Sequence, residues 1–200
     1  MSYSGKLLIP VIAALTMTLL LVNACSNPAT PPPPSHPTPP ASQAPAPFFT
    51  LSSAAFRDGE KIPAKYSCQG DNVSPSLSWS GAPIAAQSFA MITEDIDGPS
   101  GIITHWVIFN IPGTSRELAE AIPVQPQLSG GALQGNNIRG QPGYSGPCPP
   151  AGTTHRYEFT LFALDQSLNL KSGATRADLI PALQGHILAV AQLMGIYQRQ

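Results

Sequence analysis

Along the chain from Phe48, short apolar runs alternate with clusters of Gly, Pro and Asn. Phe49-Thr50-Leu51-Ser52 and Leu77-Ser78-Trp79-Ser80 alternate strictly, the period of a half-buried strand. Ser88 to Thr93, Trp106 to Ile111 and Tyr157 to Leu164 are more continuously apolar and predict more deeply buried strands. The end of the chain changes pattern. Thr175 is placed to cap a short helix from Arg176 to about Gln184, with Asp178 near its positive end and Gly185 as a stop. Pro181 falls inside that span and works against it. Ile187 to Met194 fits helix or strand by periodicity alone. These elements predict a mainly β, sandwich-like domain of the α+β type.

The first 47 residues read differently. Leu7 to Val22 is an apolar stretch behind Lys6, and it leads to Ala24-Cys25. This arrangement resembles a lipoprotein signal, with residues 1–24 removed and Cys25 acylated as the new N-terminus. A conventional cleaved signal or an uncleaved anchor are the alternatives. Ser26 to Pro47 holds no Asp, Glu, Lys or Arg and includes Pro31-Pro32-Pro33-Pro34. Such a chain favours polyproline II and would reach roughly 70 Å when extended, a spacer between membrane and domain. The expected organisation is therefore signal 1–24, acylated Cys and linker 25–47, and globular domain 48–200. The expected location is the bacterial cell envelope, in the outer membrane if the host is Gram-negative.

Composition narrows the partners. The 200-residue chain carries a net charge of −1 and only 10% charged residues. There is no basic stripe, so nucleic acid is not an expected partner. No closely spaced His or Cys ligand set occurs, and neither a metal nor a cofactor is expected.

Two clusters carry the candidate chemistry. Asp95-Ile96-Asp97-Gly98-Pro99 follows one apolar run, and Thr104-His105-Trp106 opens the next. Gly143-Tyr144-Ser145-Gly146-Pro147-Cys148 leads, through a stiff Gly/Pro loop, to His155-Arg156-Tyr157. Together with Gly70-Asp71-Asn72-Val73-Ser74-Pro75 and Leu77-Ser78-Trp79, these clusters resemble the phosphatidylethanolamine-binding protein family, which includes Raf kinase inhibitor protein. The bacterial branch is most similar, from about Phe48 onward.

The resemblance implies antiparallel sheets, with a closing strand that ends near Tyr197. It also implies a small anion pocket formed by Asp95, Asp97, His105, Gly146, His155 and Tyr157. Pro99, Trp106, Tyr144 and Pro147 would form or support its walls. The implied ligand is a phosphate-type anion or phospholipid head group. A protein partner, a kinase or protease inhibited through the pocket rim, is the second implied reading.

From the residues themselves, Asp97 before Gly98-Pro99 also suits a turn, and His105 and His155 suit buried structural histidines. Arg156, alternating with His155 and Tyr157, is expected outside in an ion pair, and His186 is expected to pack. Two aspartates repel phosphate unless they orient the histidines, and imidazolium donors would make binding tighter as pH falls. Gly146 is expected to let a ligand approach the backbone. Ser145 lies nearby without a Gly-x-Ser-x-Gly elbow, so catalysis is not expected. With Cys25 acylated, Cys68 and Cys148 remain as a pair in an exported domain and are expected to form a disulfide, two buried thiols being the alternative.

Overall fold

The computed structural model describes residues 48–200. The expected signal, Cys25 and the linker lie outside the described residues.

Among the described residues, nine strands form two sheets. In chain order they are β1 (Thr50–Ser53), β2 (Glu60–Lys61), β3 (Leu77–Ser80), β4 (Ser88–Asp95), β5 (Ile103–Pro112), β6 (Glu117–Leu118), β7 (Leu133–Gly135), β8 (Thr154–Leu164) and β9 (Ile187–Gln198). The smaller sheet runs β1-β3-β6 and the larger β2-β9-β8-β4-β5-β7. Pairing is antiparallel throughout except for β2 beside β9. One helix, α1 (Arg176–Leu183), lies between β8 and β9. The mainly β expectation holds.

The two kinds of apolar pattern have a common cause. β1 and β3 alternate because they bury one face, with Leu51, Leu77 and Trp79 turned inward. β4 is buried at every position, because both of its faces are covered. Phe89, Met91, Trp106, Ile108, Tyr157, Phe159 and Leu161 join Trp79 in the core on one side. Ala90, Ile92, Val107 and Phe109 meet Leu179 and Leu183 of α1 on the other.

The helix begins as expected: the Thr175 N–H donates to Asp178 Oδ2 (2.8 Å), and its hydroxyl donates to the same oxygen (2.7 Å). Gly185 follows at φ 82°, the left-handed conformation that stops a helix at low cost. Pro181 is accommodated inside the helix. The ambiguous segment after it is strand. β9 pairs with β8 from Ile187↔Leu164 to Gln198↔Thr154, and this long ladder settles what periodicity could not.

Register then positions the site. Asp95 ends β4 and pairs with Ile103 at the start of β5 and with Tyr157 near the start of β8. Antiparallel neighbours thus bring the end of β4 and the beginnings of β5 and β8 to one end of the sheet. Asp95, His105 and His155 meet there although up to 60 positions separate them.

Candidate functional site

At this end of the large sheet is an open cleft of about 370 Å³. Asp95, Pro99, His105, Gly146 and His155 line it, with Ile103, Ile138, Arg139, Ser145, Cys148, Pro149, Pro150 and Arg199. The floor is built from buried polar groups: Asp95 is 2% exposed, His105 5% and His155 7%.

Each of these groups is held by the protein. The His155 Nδ1–H donates to Asp95 Oδ2 at 2.7 Å, and the Asp97 backbone N–H donates to Asp95 Oδ1 at 3.0 Å. The His105 Nδ1–H donates to the Ser145 carbonyl at 2.6 Å. A carboxylate and a carbonyl can only accept, so both rings carry their proton on Nδ1 when neutral. Nε2 is the nitrogen each ring has left for the cleft. Burial pushes the His105 pKa below the ordinary imidazole value, against the opposing pull of the Ser145 carbonyl and the Asp95 charge. His105 is therefore neutral near pH 7, and its Nε2 accepts a hydrogen bond rather than giving one.

Tyr157 lies beneath the site. Its ring meets His105 edge-on at 5.2 Å between centroids, and it is fully buried. Its hydroxyl makes no hydrogen bond of good geometry, yet it is close enough to Asp95 and the Cys148 backbone for both to affect its titration. Burial first, then the Asp95 charge, push the phenol pKa far up. It remains a neutral hydroxyl next to a carboxylate.

Asp97 is turned elsewhere. Its carboxylate takes Arg156 Nη2 at 2.6 Å, Nε at 2.9 Å and the Arg156 backbone N–H at 2.9 Å. This hydrogen-bonded guanidinium lowers the Asp97 pKa to about 2. The pair locks the β4–β5 turn to β8 on the outer face, as the alternation of Arg156 with its neighbours implied. Asp97 is not among the residues lining the cleft.

Gly146 lines the cleft, but the expected reason for a glycine is corrected. A Cβ there would stand 2.2 Å from the Tyr66 carbonyl oxygen and 2.8 Å from Asn72 Oδ1. Its N–H is also committed, donating to Asn72 Oδ1 at 2.8 Å. The glycine admits the neighbouring loop, not a ligand. Asn72 holds this bond at φ 55°, which explains the Gly70-Asp71-Asn72 motif as a brace for the cleft wall.

Of the expected walls, Pro99 reaches the cleft, and the others support it. Tyr144 is buried, donates to the Tyr66 carbonyl at 2.9 Å and meets Trp106 edge-on. The Pro147 carbonyl accepts the Cys68 N–H at 3.0 Å. Cys68 and Cys148 are joined in a disulfide with Cα atoms 5.4 Å apart, and Cys148 itself lines the cleft. His186 is remote, held by Asp165 (3.0 Å) and Gln166 (3.0 Å).

Sequence reasoning missed Arg139 and Arg199. Neither sits in a recognisable motif. Arg139 follows β7 in a turn, and Arg199 follows the last residue of β9, so only the folded ladder brings them to one cleft.

The family model described as phosphatidylethanolamine-binding protein matches residues 52–198. A UPF0098 protein of Methanothermobacter thermautotrophicus is 50% identical over 151 residues, covering 76% of this chain and 99% of the relative. A UPF0098 protein of Aquifex aeolicus is 46% identical, over 76% of this chain and 90% of the relative. Among solved structures, the putative phosphatidylethanolamine-binding protein homologue CT736 of Chlamydia trachomatis superposes with a TM-score of 0.70 at 42% identity, over 76% of this chain and 99% of that one. E. coli YbcL, described as a member of the mammalian PEBP family, superposes at 0.71 with 32% identity and the same coverage.

Proposed function

Because this chain belongs to the phosphatidylethanolamine-binding protein family, we propose that its cleft binds a small phosphate-type anion and that an acylated Cys25 holds the domain at the bacterial envelope. One observation carries the first half. Two buried histidines spend Nδ1 on protein acceptors and keep Nε2 for the same cleft. That arrangement orients a hydrogen-bonding site before any ligand arrives. Asp95 does not confront the anion directly. Both of its oxygens accept hydrogen bonds, and it acts through His155.

The two rings have different roles. Neutral His105 offers an acceptor, suited to a protonated phosphate oxygen or a hydroxyl. Protonation turns the His105 Nε2 into a donor, so an anion binds more tightly as pH falls below the ordinary imidazole range, while His155 is held in place by Asp95. Organic phosphates lose a proton themselves near pH 6, so a phosphate titration would mix two effects. Sulfate stays dianionic across the range and isolates the protein's own titration.

Calorimetry of the full-length chain with sulfate should give tighter binding at about pH 5.5 than at about pH 8. His155→Ala should weaken binding by roughly 10- to 150-fold, the loss of one charge-assisted hydrogen bond. A folded chain that binds neither sulfate nor phosphate at millimolar concentration would overturn the anion reading and leave the protein-partner alternative.

The anchor rests on the apolar run and Ala24-Cys25. Cys25→Ala should move the chain from the membrane fraction to the soluble fraction. An unchanged distribution, with no lipid mass on the native chain, would remove this part of the proposal.

A further inference from the structure

The family's description suggests that a binding site should recognise an ethanolamine head group. The charges of this cleft argue otherwise. An ammonium needs a carboxylate or another acceptor with charge to spare. Among the described residues, Asp95 is the one carboxylate lining the cleft, and it is 2% exposed with both oxygens already accepting hydrogen bonds. Asp97 is neutralised by the bidentate Arg156 and does not line the cleft.

Cations, by contrast, are in surplus. Arg139 and Arg199 both line the cleft, and among the described residues neither guanidinium forms an ion pair. Arg139 is close enough for its charge to act on His105. The backbones of both arginines are pinned. Asn137 Oδ1 accepts the Arg139 N–H at 2.8 Å, and the Ile138 N–H donates to Thr104 on β5. The Arg199 carbonyl accepts the Gly152 N–H at 2.9 Å, beyond the last β8–β9 pair. The two guanidinium groups thus come from separate, fixed segments, with their donors uncommitted. Arginine presents its donors as a planar fork matched to phosphate oxygens.

Resting on the proposed anion site, we infer that the cleft selects a phosphomonoester through Arg139 and Arg199 and has no receptor for an amino group. A monoester dianion offers three terminal oxygens and two negative charges to the two arginines. A diester offers two and a single negative charge. The ester's organic part has an apolar wall in Ile103, Ile138 and Pro149, and the cleft's volume of about 370 Å³ leaves room for it. An ammonium on that organic part would find no available carboxylate among the residues lining the cleft.

The test compares ethyl phosphate, phosphoethanolamine and dimethyl phosphate by calorimetry on the full-length chain near pH 8, where the monoesters are dianionic at phosphorus. Ethyl phosphate should bind at least as tightly as phosphoethanolamine, and about tenfold more tightly than dimethyl phosphate. Arg139→Gln and Arg199→Gln should each weaken ethyl phosphate by about 3- to 10-fold, and salt should weaken the native chain more than either variant. Phosphoethanolamine binding tenfold tighter than ethyl phosphate would overturn the inference, as would binding unchanged in both arginine variants. Either result leaves the anion site standing. No binding of any phosphate by the native chain would remove the anion site and this inference together.

Discussion

Replacing Cys68 and Cys148 by serine should destabilise the domain by about 4 kcal/mol and lower its melting temperature by roughly 10 °C. The cysteines are 80 positions apart, so the disulfide closes a long loop and restricts the unfolded chain strongly. Other contacts hold the same two loops together. Tyr144 donates to the Tyr66 carbonyl, Gly146 to Asn72, and the Cys68 N–H to the Pro147 carbonyl. The variant should therefore still fold, and its unfolded state should expose more surface. Urea denaturation should show a lower midpoint and a steeper slope than the native chain. An unchanged midpoint would mean that these hydrogen bonds, and not the cross-link, hold the wall of the cleft.

Asp95→Ala should cost about 2–6 kcal/mol, the penalty for leaving two buried N–H donors without an acceptor. The residue is 2% exposed, and two donors depend on it, the His155 Nδ1–H and the Asp97 N–H. Alanine leaves both without an acceptor and opens a void at the end of β4. Asp95→Asn keeps a carbonyl oxygen and the side-chain volume, so its cost should be smaller, about 1–2 kcal/mol. Denaturation of both variants at neutral pH separates the two contributions. Equal costs for alanine and asparagine would assign the effect to lost charge. A negligible cost for alanine would show that the pair does not support the fold.

Much of this architecture was legible in the chain. Strict alternation at Leu51, Leu77 and Trp79 marked strands buried on one face, and the continuous run from Ser88 to Thr93 marked a more deeply buried strand, which the structure covers on both faces. The Thr175 and Asp178 pair marked the helix start. Periodicity failed at Ile187 to Met194, where Ile187, Leu188 and Val190 stay partly exposed and pairing with β8 decides the conformation. The two-residue strands β2 and β6 were beyond any pattern argument, because neighbouring strands impose them.

The site was legible as chemistry more than as geometry. Asp95, His105, Gly146 and His155 do line one cleft, with Pro99. Motif proximity could not distinguish Asp95 from Asp97. The two lie two positions apart, one bonded to His155 and the other to Arg156. Nor could it reveal that Gly146 answers to Tyr66 and Asn72, residues more than 70 positions earlier. Arg139 and Arg199 lie outside every motif and reach the cleft only through the fold.

The central claim, that Nε2 of His105 and His155 is held ready for an anion, is tested most directly at those atoms. Nitrogen-15 spectra of the imidazoles, recorded while phosphate is added to the full-length chain, should show saturable shifts at Nε2 of His105 and His155. His186, engaged by Asp165 and Gln166, should stay fixed as an internal control. Fixed resonances at His105 and His155, or equal drift at all three rings, would contradict the account.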